Sequence, residues 1–414
     1  RSSDGHPMLG ENDDREVHWK EDNDFFYYPG EALRLPTPCP LGMEPYMEMP
    51  AMATGNNCYS PEPGINDWYE TVKINYGDNH TATWDRMLDI LTFWAEKGVD
   101  GFRCDMVELI PQSFMRWAIS QIKSRFPDVI FIAEVYKKEL YRDYVHKVGF
   151  DYLYDKSGLY DTLRSIVDKN VNDNGMPVDL WQSTTGITRN WQFLGDLQPY
   201  MLNFLENHDE QRFASEFFGR DGHNTYAPLY ASLFLNTAPF MIYFGEEVGE
   251  AGMDEEGFSG RDGRTTIFDW WSVGSVRRLR KAIASKAYED LKVSKLTAAG
   301  MKKEEAEIFC RFAQAVRLAS ADTAISMGTT YDLCYCNMSS DGFDKNRHFA
   351  FLRDYEEHTL LIAINFSDKA AEMKLVIPEH AFEWMGIPIT EKMYPGKVIN
   401  VKVPPMDGTV IQLV

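Results

Sequence analysis

A chain of 414 residues, 44% of them hydrophobic, is long enough to bury a large core and to divide into two domains. Its formal net charge of −21 argues against nucleic acid and anionic membrane surfaces as partners, and no apolar run reaches the roughly 18 residues needed to span a bilayer. Six cysteines form neither a disulfide framework nor a Cys/His cluster suited to zinc. Free thiols lean toward a reducing, cytoplasmic compartment, but with Arg1 first and no hydrophobic leader in view the address stays open.

Residues 1–80 are rich in Pro, Gly, Asp and Asn, and Pro36-Thr37-Pro38-Cys39-Pro40 and Pro61-Glu62-Pro63-Gly64 punctuate them. An irregular stretch this long is as a rule functional or disordered, and its Tyr and Trp content argues against disorder. Asp13, Asp14, Asp22 and Asp24 read either as oxygen ligands for a structural calcium ion or as solvated loop carboxylates.

Over residues 81–324 strands alternate with helices. Residues 83–97 read as an amphipathic helix with Met87, Leu88, Leu91, Trp94 and Ala95 on its packed face; Gly98 ends it and a strand over 99–104 follows. Pro111 opens a helix that stops before Pro127, and a strand over 129–134 comes next. A Lys- and Tyr-rich helix leads to a short strand over 150–154, and helical stretches precede strands over 200–205 and 239–244. Five strands separated by helical material predict a parallel α/β sheet. In residues 325–414 the texture changes to short alternating runs over 330–336, 348–352, 359–364, 373–377, 398–403 and 407–414, which predict an antiparallel β-sandwich. Cys334 and Cys336, two apart in the first of these runs, would share a strand face.

Three carboxylates each close an apolar run: Asp105 in Gly101-Phe102-Arg103-Cys104-Asp105, Glu134 in Phe131-Ile132-Ala133-Glu134, and Asp209 in Phe204-Leu205-Glu206-Asn207-His208-Asp209. An acidic residue there often only caps the next helix or starts a turn. Arg103 and Asp105, however, fall on one face of a strand while Cys104 points away, so the guanidinium can hold the carboxylate ionised. Acidic groups at the carboxyl ends of successive parallel strands converge in a β/α barrel, and a carboxylate pair is what glycoside cleavage needs.

At these motifs the chain resembles the α-amylase family (glycoside hydrolase family 13), and the likeness extends through Gly245-Glu246-Glu247-Val248-Gly249. The resemblance implies a (β/α)8 TIM-barrel catalytic domain followed by a C-terminal antiparallel β-sandwich. It implies that Asp105 is the nucleophile, Glu134 the general acid/base and Asp209 the third carboxylate, with Arg103 and His208 binding substrate. The family barrel has eight strands, and its first motif, ending in Asn-His, has no counterpart. Residues 1–80 resemble the loop domain that follows the family's third strand. The expectation is therefore an N-terminally incomplete barrel lacking three β/α units, either a fragment or one completed by a second polypeptide, and the activity of this chain alone stays open.

The implied reaction is retaining cleavage of α-glucosidic linkages in an α-glucan or malto-oligosaccharide, with no cofactor required and structural calcium left open. Glu134 would need an apolar or anionic setting to keep its proton near neutrality. Alternatives are an α-glucan transglycosylase, a non-catalytic glycan-binding or accessory subunit, and a sugar-phosphate enzyme, the last without a Gly-rich phosphate loop to support it. Three and four residues after Asp105 stand Glu108 and Leu109, where many endo-acting relatives carry Lys-His. Glu108 would then either contact sugar or serve the helix near Pro111, and short oligosaccharides or transfer would be preferred over random attack on starch.

Overall fold

The computed structural model describes residues 8–39, 41–168, 182–253, 261–269 and 273–413. Pro40 and Val414, which fall in two of the predicted features, lie outside them. The chain divides into two units, Arg1–Leu153 and Tyr154–Val414.

In the first unit, residues 8–80 contain two short strands, β1 (Tyr27–Tyr28) and β2 (Ala51–Met52), paired antiparallel. Their loops are held by buried polar groups rather than by ladders. Asp24 accepts from the Gly10 amide at 2.7 Å and from the Thr83 hydroxyl at 2.6 Å, and it pairs with Arg86. This fixes the irregular segment to helix α1 (Ala82–Glu96). Trp84 of α1 packs on Phe114 and Trp117 of α2 (Gln112–Arg125), with ring centroids 5.5 and 5.4 Å apart. Trp94, expected on the packed face, is instead exposed with Ile90 and Phe93, so these three, Ile90 and the residues three and four further on, form a second apolar face of α1.

Gly98, at φ +86°, ends α1 in left-handed backbone. Strand β3 (Gly101–Cys104) then pairs in parallel with β4 (Ile130–Ala133), Gly101 opposite Ile130 and Cys104 opposite Ala133. A side chain at position 101 would meet the Ile130 carbonyl oxygen at 2.5 Å, which explains the glycine. Strand β4 pairs in parallel with β5 (Tyr152–Tyr154).

In the second unit β6 (Met201–Phe204) and β7 (Phe240–Met241) are parallel. Five parallel strands thus stand among the described residues, at the five predicted places. The last is shorter than the run 239–244 because the chain turns: the Tyr243 amide donates to the Glu246 carboxylate at 2.9 Å and the Glu246 amide to the Tyr243 carbonyl at 2.8 Å.

The C-terminal region forms an antiparallel sheet in the order β13-β10-β9-β8 and a separate antiparallel pair, β11 and β12. These strands are β8 (Thr329–Asp332), β9 (His348–Tyr355), β10 (His358–Asn365), β11 (Ala371–Val376), β12 (Val398–Val403) and β13 (Asp407–Gln412). The strand expected to reach residue 336 stops at Asp332, whose carboxylate accepts from the Cys334 amide at 2.7 Å and starts a helical turn, Cys334–Asn337. Cys334 and Cys336 therefore do not share a strand face, because residues two apart on a helix point in different directions. No disulfide joins any of the six cysteines among the described residues. No helix among the described residues is long and apolar enough to cross a membrane.

Helix Tyr226–Phe234 is buried on every side from Ala227 onward. It packs against helix Lys303–Ala321 on one side and against β10 and β13 on another. Gly408 of β13 lies so close that a side chain there would strike the Tyr230 ring.

Candidate active site

Asp105 directly follows β3 and Glu134 directly follows β4, so the parallel register brings both to the same strand ends. The structure joins them through one side chain. Arg103 donates from one terminal nitrogen to the Asp105 carboxylate, and its other terminal nitrogen lies 3.0 Å from Glu134 Oε1. Two carboxylates on one guanidinium fall within the roughly 10 Å that carboxyl pairs of glycosidases span. Their exposures differ: the Asp105 side chain is 67% accessible, whereas that of Glu134 is 2%. Between them Cys104 points the other way, and burial pushes its thiol up to about 12.

Glu134 is fully engaged. Its Oε1 accepts from the Tyr136 hydroxyl at 2.6 Å and its Oε2 from the Met106 amide at 2.8 Å. The setting is therefore neither apolar nor anionic, contrary to expectation: a buried carboxylate needs donors, and the strand end supplies a guanidinium, a phenol and an amide.

Glu108 makes the reverse connection. It accepts from the Tyr136 and Lys137 amides at 2.5 and 2.7 Å, and Lys137 Nζ lies 3.4 Å away. Met106 sits in left-handed backbone at φ +38° to make the turn. The loop after β3 thus reaches Glu134, and the loop after β4 reaches Glu108. Glu108 neither caps α2 nor stands free for sugar. Its position three residues after Asp105 marked it for attention; its partners, some 28 residues away, could not be read from spacing. Tyr136, two residues after Glu134, was missed, although that interval returns a strand's side chains to the same side.

His208 and Asp209 belong to the second unit. Asn207 Oδ1 accepts from both the Asp209 and the Glu210 amides at 2.9 Å, an Asx turn that fixes where the Asp209 side chain leaves the backbone. His208 Nε2 lies 3.1 Å from Asp209 Oδ2, and Arg264 Nε donates to the Asp209 carbonyl at 2.7 Å. Beneath them Arg212 is wholly buried. It donates to Glu206 at 2.7 Å, to the Phe244 carbonyl at 2.7 Å and to the Thr265 hydroxyl at 2.9 Å, and it lies 4.4 Å from the Tyr243 ring centre. Arg264 also pairs with Asp262, two residues back, but the contacts that bear on Asp209 and Glu206, from Arg264 and Arg212, reach 55 and 6 residues along the chain and carry no local sequence signal.

The acidic residues of the N-terminal segment do not form a cation cage. Asp13 accepts from the Asp24 and Phe25 amides and the Tyr27 hydroxyl, and Asp24 is occupied by the donors given above. These oxygens already accept from donors of the chain itself. Among the described residues no group of three or more His, Cys, Asp or Glu is placed to hold a metal.

Residues 69–306, which contain all three carboxylates, match the model of the alpha amylase catalytic domain. The chain belongs to the α-amylase family. Among curated α-amylase-related proteins, it is 37% identical over 79 residues to the alpha-1,4-glucan:maltose-1-phosphate maltosyltransferase of Rhodospirillum rubrum, covering 19% of this chain and 12% of that one. It is 25% identical over 169 residues to neopullulanase 2 of Thermoactinomyces vulgaris, covering 40% and 27%. Among solved structures, the acarbose-soaked debranching enzyme of Nostoc punctiforme superposes with a TM-score of 0.55 at 18% identity, over 82% of this chain and 62% of that one. The chain thus spans less than two thirds of the length of each of these α-amylase-family relatives and neighbours.

Proposed function

We propose that this chain carries the catalytic carboxylates of a retaining enzyme acting on α-glucosidic linkages of oligo- or polysaccharides. One observation carries the reading: a single guanidinium, Arg103, touches both Asp105 and Glu134 at adjacent parallel strand ends. That arrangement supports two carboxylates working on one bond. Asp105, the more exposed, attacks the anomeric carbon as the glycosidic bond breaks. Glu134 gives a proton to the departing oxygen. A water or a sugar hydroxyl then loses its proton to Glu134 and displaces Asp105, so configuration is retained. Asp209 takes the role of third carboxylate implied by its motif, and Arg103 and His208 bind substrate. The chemistry itself needs no cofactor.

Whether water or sugar accepts the glycosyl group separates hydrolysis from transfer. The stretch shared with a protein named as a maltosyltransferase favours keeping transfer as the second reading. The commitment of Glu108 to backbone amides supports a leaving-group side built without a charged donor pair. The deciding experiment incubates the whole protein with maltotriose to maltopentaose and with soluble starch. Short products of retained anomeric configuration, or longer ones from transfer, support the proposal. Fast viscosity loss on starch with little turnover of the short sugars would restore ordinary endo-attack. A fluorosugar that fails to label Asp105 would leave only a non-catalytic glycan-binding role.

A further inference from the structure

On the C-terminal region, four rings gather on three neighbouring elements that no catalytic motif touches. Tyr331 of β8 is buried at their centre. Tyr335 on the turn Cys334–Asn337 and Trp384 on helix Glu379–Met385 flank it, with centroids 6.2 and 5.9 Å from its own. Tyr335 and Trp384 are each 55% exposed, whereas Tyr331 is 7%. The Tyr331 hydroxyl bonds to the Tyr335 hydroxyl and lies 3.2 Å from His380 Nδ1. Two large rings thus face solvent, held from below by a buried phenol.

Single exposed rings are ordinary, but two braced on one buried ring form a patch from which a ligand can displace water. The occupant follows from the chemistry between the rings. A hydroxyl pair and an imidazole sit among apolar faces, so the surface offers stacking and hydrogen bonds side by side. A glucose ring is built the same way, with C–H groups on its faces and hydroxyls at its rim. It is also neutral, and so indifferent to the chain's net charge of −21. The anchoring of both rings through Tyr331 removes part of the ordering cost of binding.

We propose that Tyr335 and Trp384, braced by Tyr331 and His380, form a non-catalytic binding site for α-glucan chains. The site rests on the reading of the protein as α-glucan-active and names a second place where the chain is held. It retains polymer while the strand-end carboxylates act. Short substrates gain nothing from it.

The test compares the parent protein with Trp384→Ala, Tyr335→Ala and Glu134→Gln. Retardation in native gels containing amylopectin is measured, as is quenching of tryptophan emission by maltoheptaose, along with turnover of maltotriose. The two aromatic variants should bind amylopectin at least about tenfold more weakly and turn over maltotriose as the parent does. Glu134→Gln should be retarded like the parent while losing turnover, which separates this site from the catalytic reading. Tyr331→Phe, which removes only the hydroxyl, should weaken binding less than Trp384→Ala. Parent-like retardation of both aromatic variants overturns the site and leaves the catalytic reading standing. So does a parent protein that is not retarded while turning over maltotriose. A change from dimer to monomer on Trp384→Ala, read by sedimentation, would assign the rings to a second copy of the chain and overturn the proposal.

Discussion

The molecule twice sets one arginine among acidic side chains at parallel strand ends, and the two settings differ in access to water. Arg103 meets Asp105 and Glu134 with Asp105 open to solvent. Arg212 meets Glu206 with side chains 0% and 1% exposed, and Glu246 stands by, also buried. Burial holds the Glu246 carboxyl well above the usual range, and the charge of Glu206 adds to it. Burial also pushes Glu206 up, but Arg212 opposes it. The open group can exchange protons and meet a substrate. The sealed group cannot, and its guanidinium instead ties the ends of β6 and β7 to the segment that touches Asp209. The same residue types serve chemistry in one place and geometry in the other, and solvent access decides which.

The largest effects should come from the open group. Asp105→Asn should lower turnover on the order of 10⁴-fold or more, and Glu134→Gln by about 10²–10⁴-fold. Glycosyl fluorides, whose leaving group needs no proton, should largely restore Glu134→Gln and leave Asp105→Asn dead. Equal rescue of both would remove the division of labour.

In the sealed group stability should fail first. Arg212→Met leaves Glu206 buried without its partner and should cost about 3–5 kcal/mol in denaturant unfolding. Arg103→Met should lose turnover at a smaller cost in stability, because Asp105 stays in water and Glu134 keeps Tyr136 and the Met106 amide. A larger stability loss at Arg103 than at Arg212 would reverse the comparison.

The Glu108 clamp lies between these extremes. Glu108→Gln keeps an acceptor but loses its charge, so kcat should fall about tenfold through misplacement of Glu134 with KM little changed. A rise in KM alone would make Glu108 a sugar contact after all.

The smallest effect tests the proton on Glu246. Its raised pKa means that the unfolded chain releases this proton first as pH rises, so the carboxyl's contribution to stability is full below about 4.5 and is lost upward from there. Glu246→Gln cannot ionise. It should gain on the parent from pH about 4.5 upward, by about 1 kcal/mol for each unit of raised pKa that is traversed. Parallel melting curves for the two proteins from pH 4 to 8 would show that Glu246 is charged in the folded state.

Much of this was legible in the sequence for a physical reason: strand and helix periodicities are local. The five parallel strands lie where apolar runs end in Gly, Pro or an acid, and the side-by-side placement of Arg103 and Asp105 follows from alternation along a strand. Three features escaped because they depend on partners far along the chain or on competition between backbone and side chain. Arg212 and Arg264 act on groups that no local pattern marks. Glu108 was seen but not its amides. Strand β8 ends early because the Asp332 carboxylate captures an amide, which no hydrophobic alternation reveals.

Helix Tyr226–Phe234 limits how this protein can be taken apart. The helix has no solvated side, and its neighbours include both the Lys303–Ala321 helix and the antiparallel strands β10 and β13. Arg311 lies 5.3 Å from the Tyr230 ring centre and donates to Asp407 at 2.8 Å, and Arg353 and Thr330 both donate to the Leu235 carbonyl just past the helix end. The C-terminal sheet is thus part of the wall around this helix and not an appendage behind a linker. Exchange of that sheet for a relative's has to carry the Tyr226–Phe234 face with it, and a protease cut that releases the sheet should melt the remainder of the second unit.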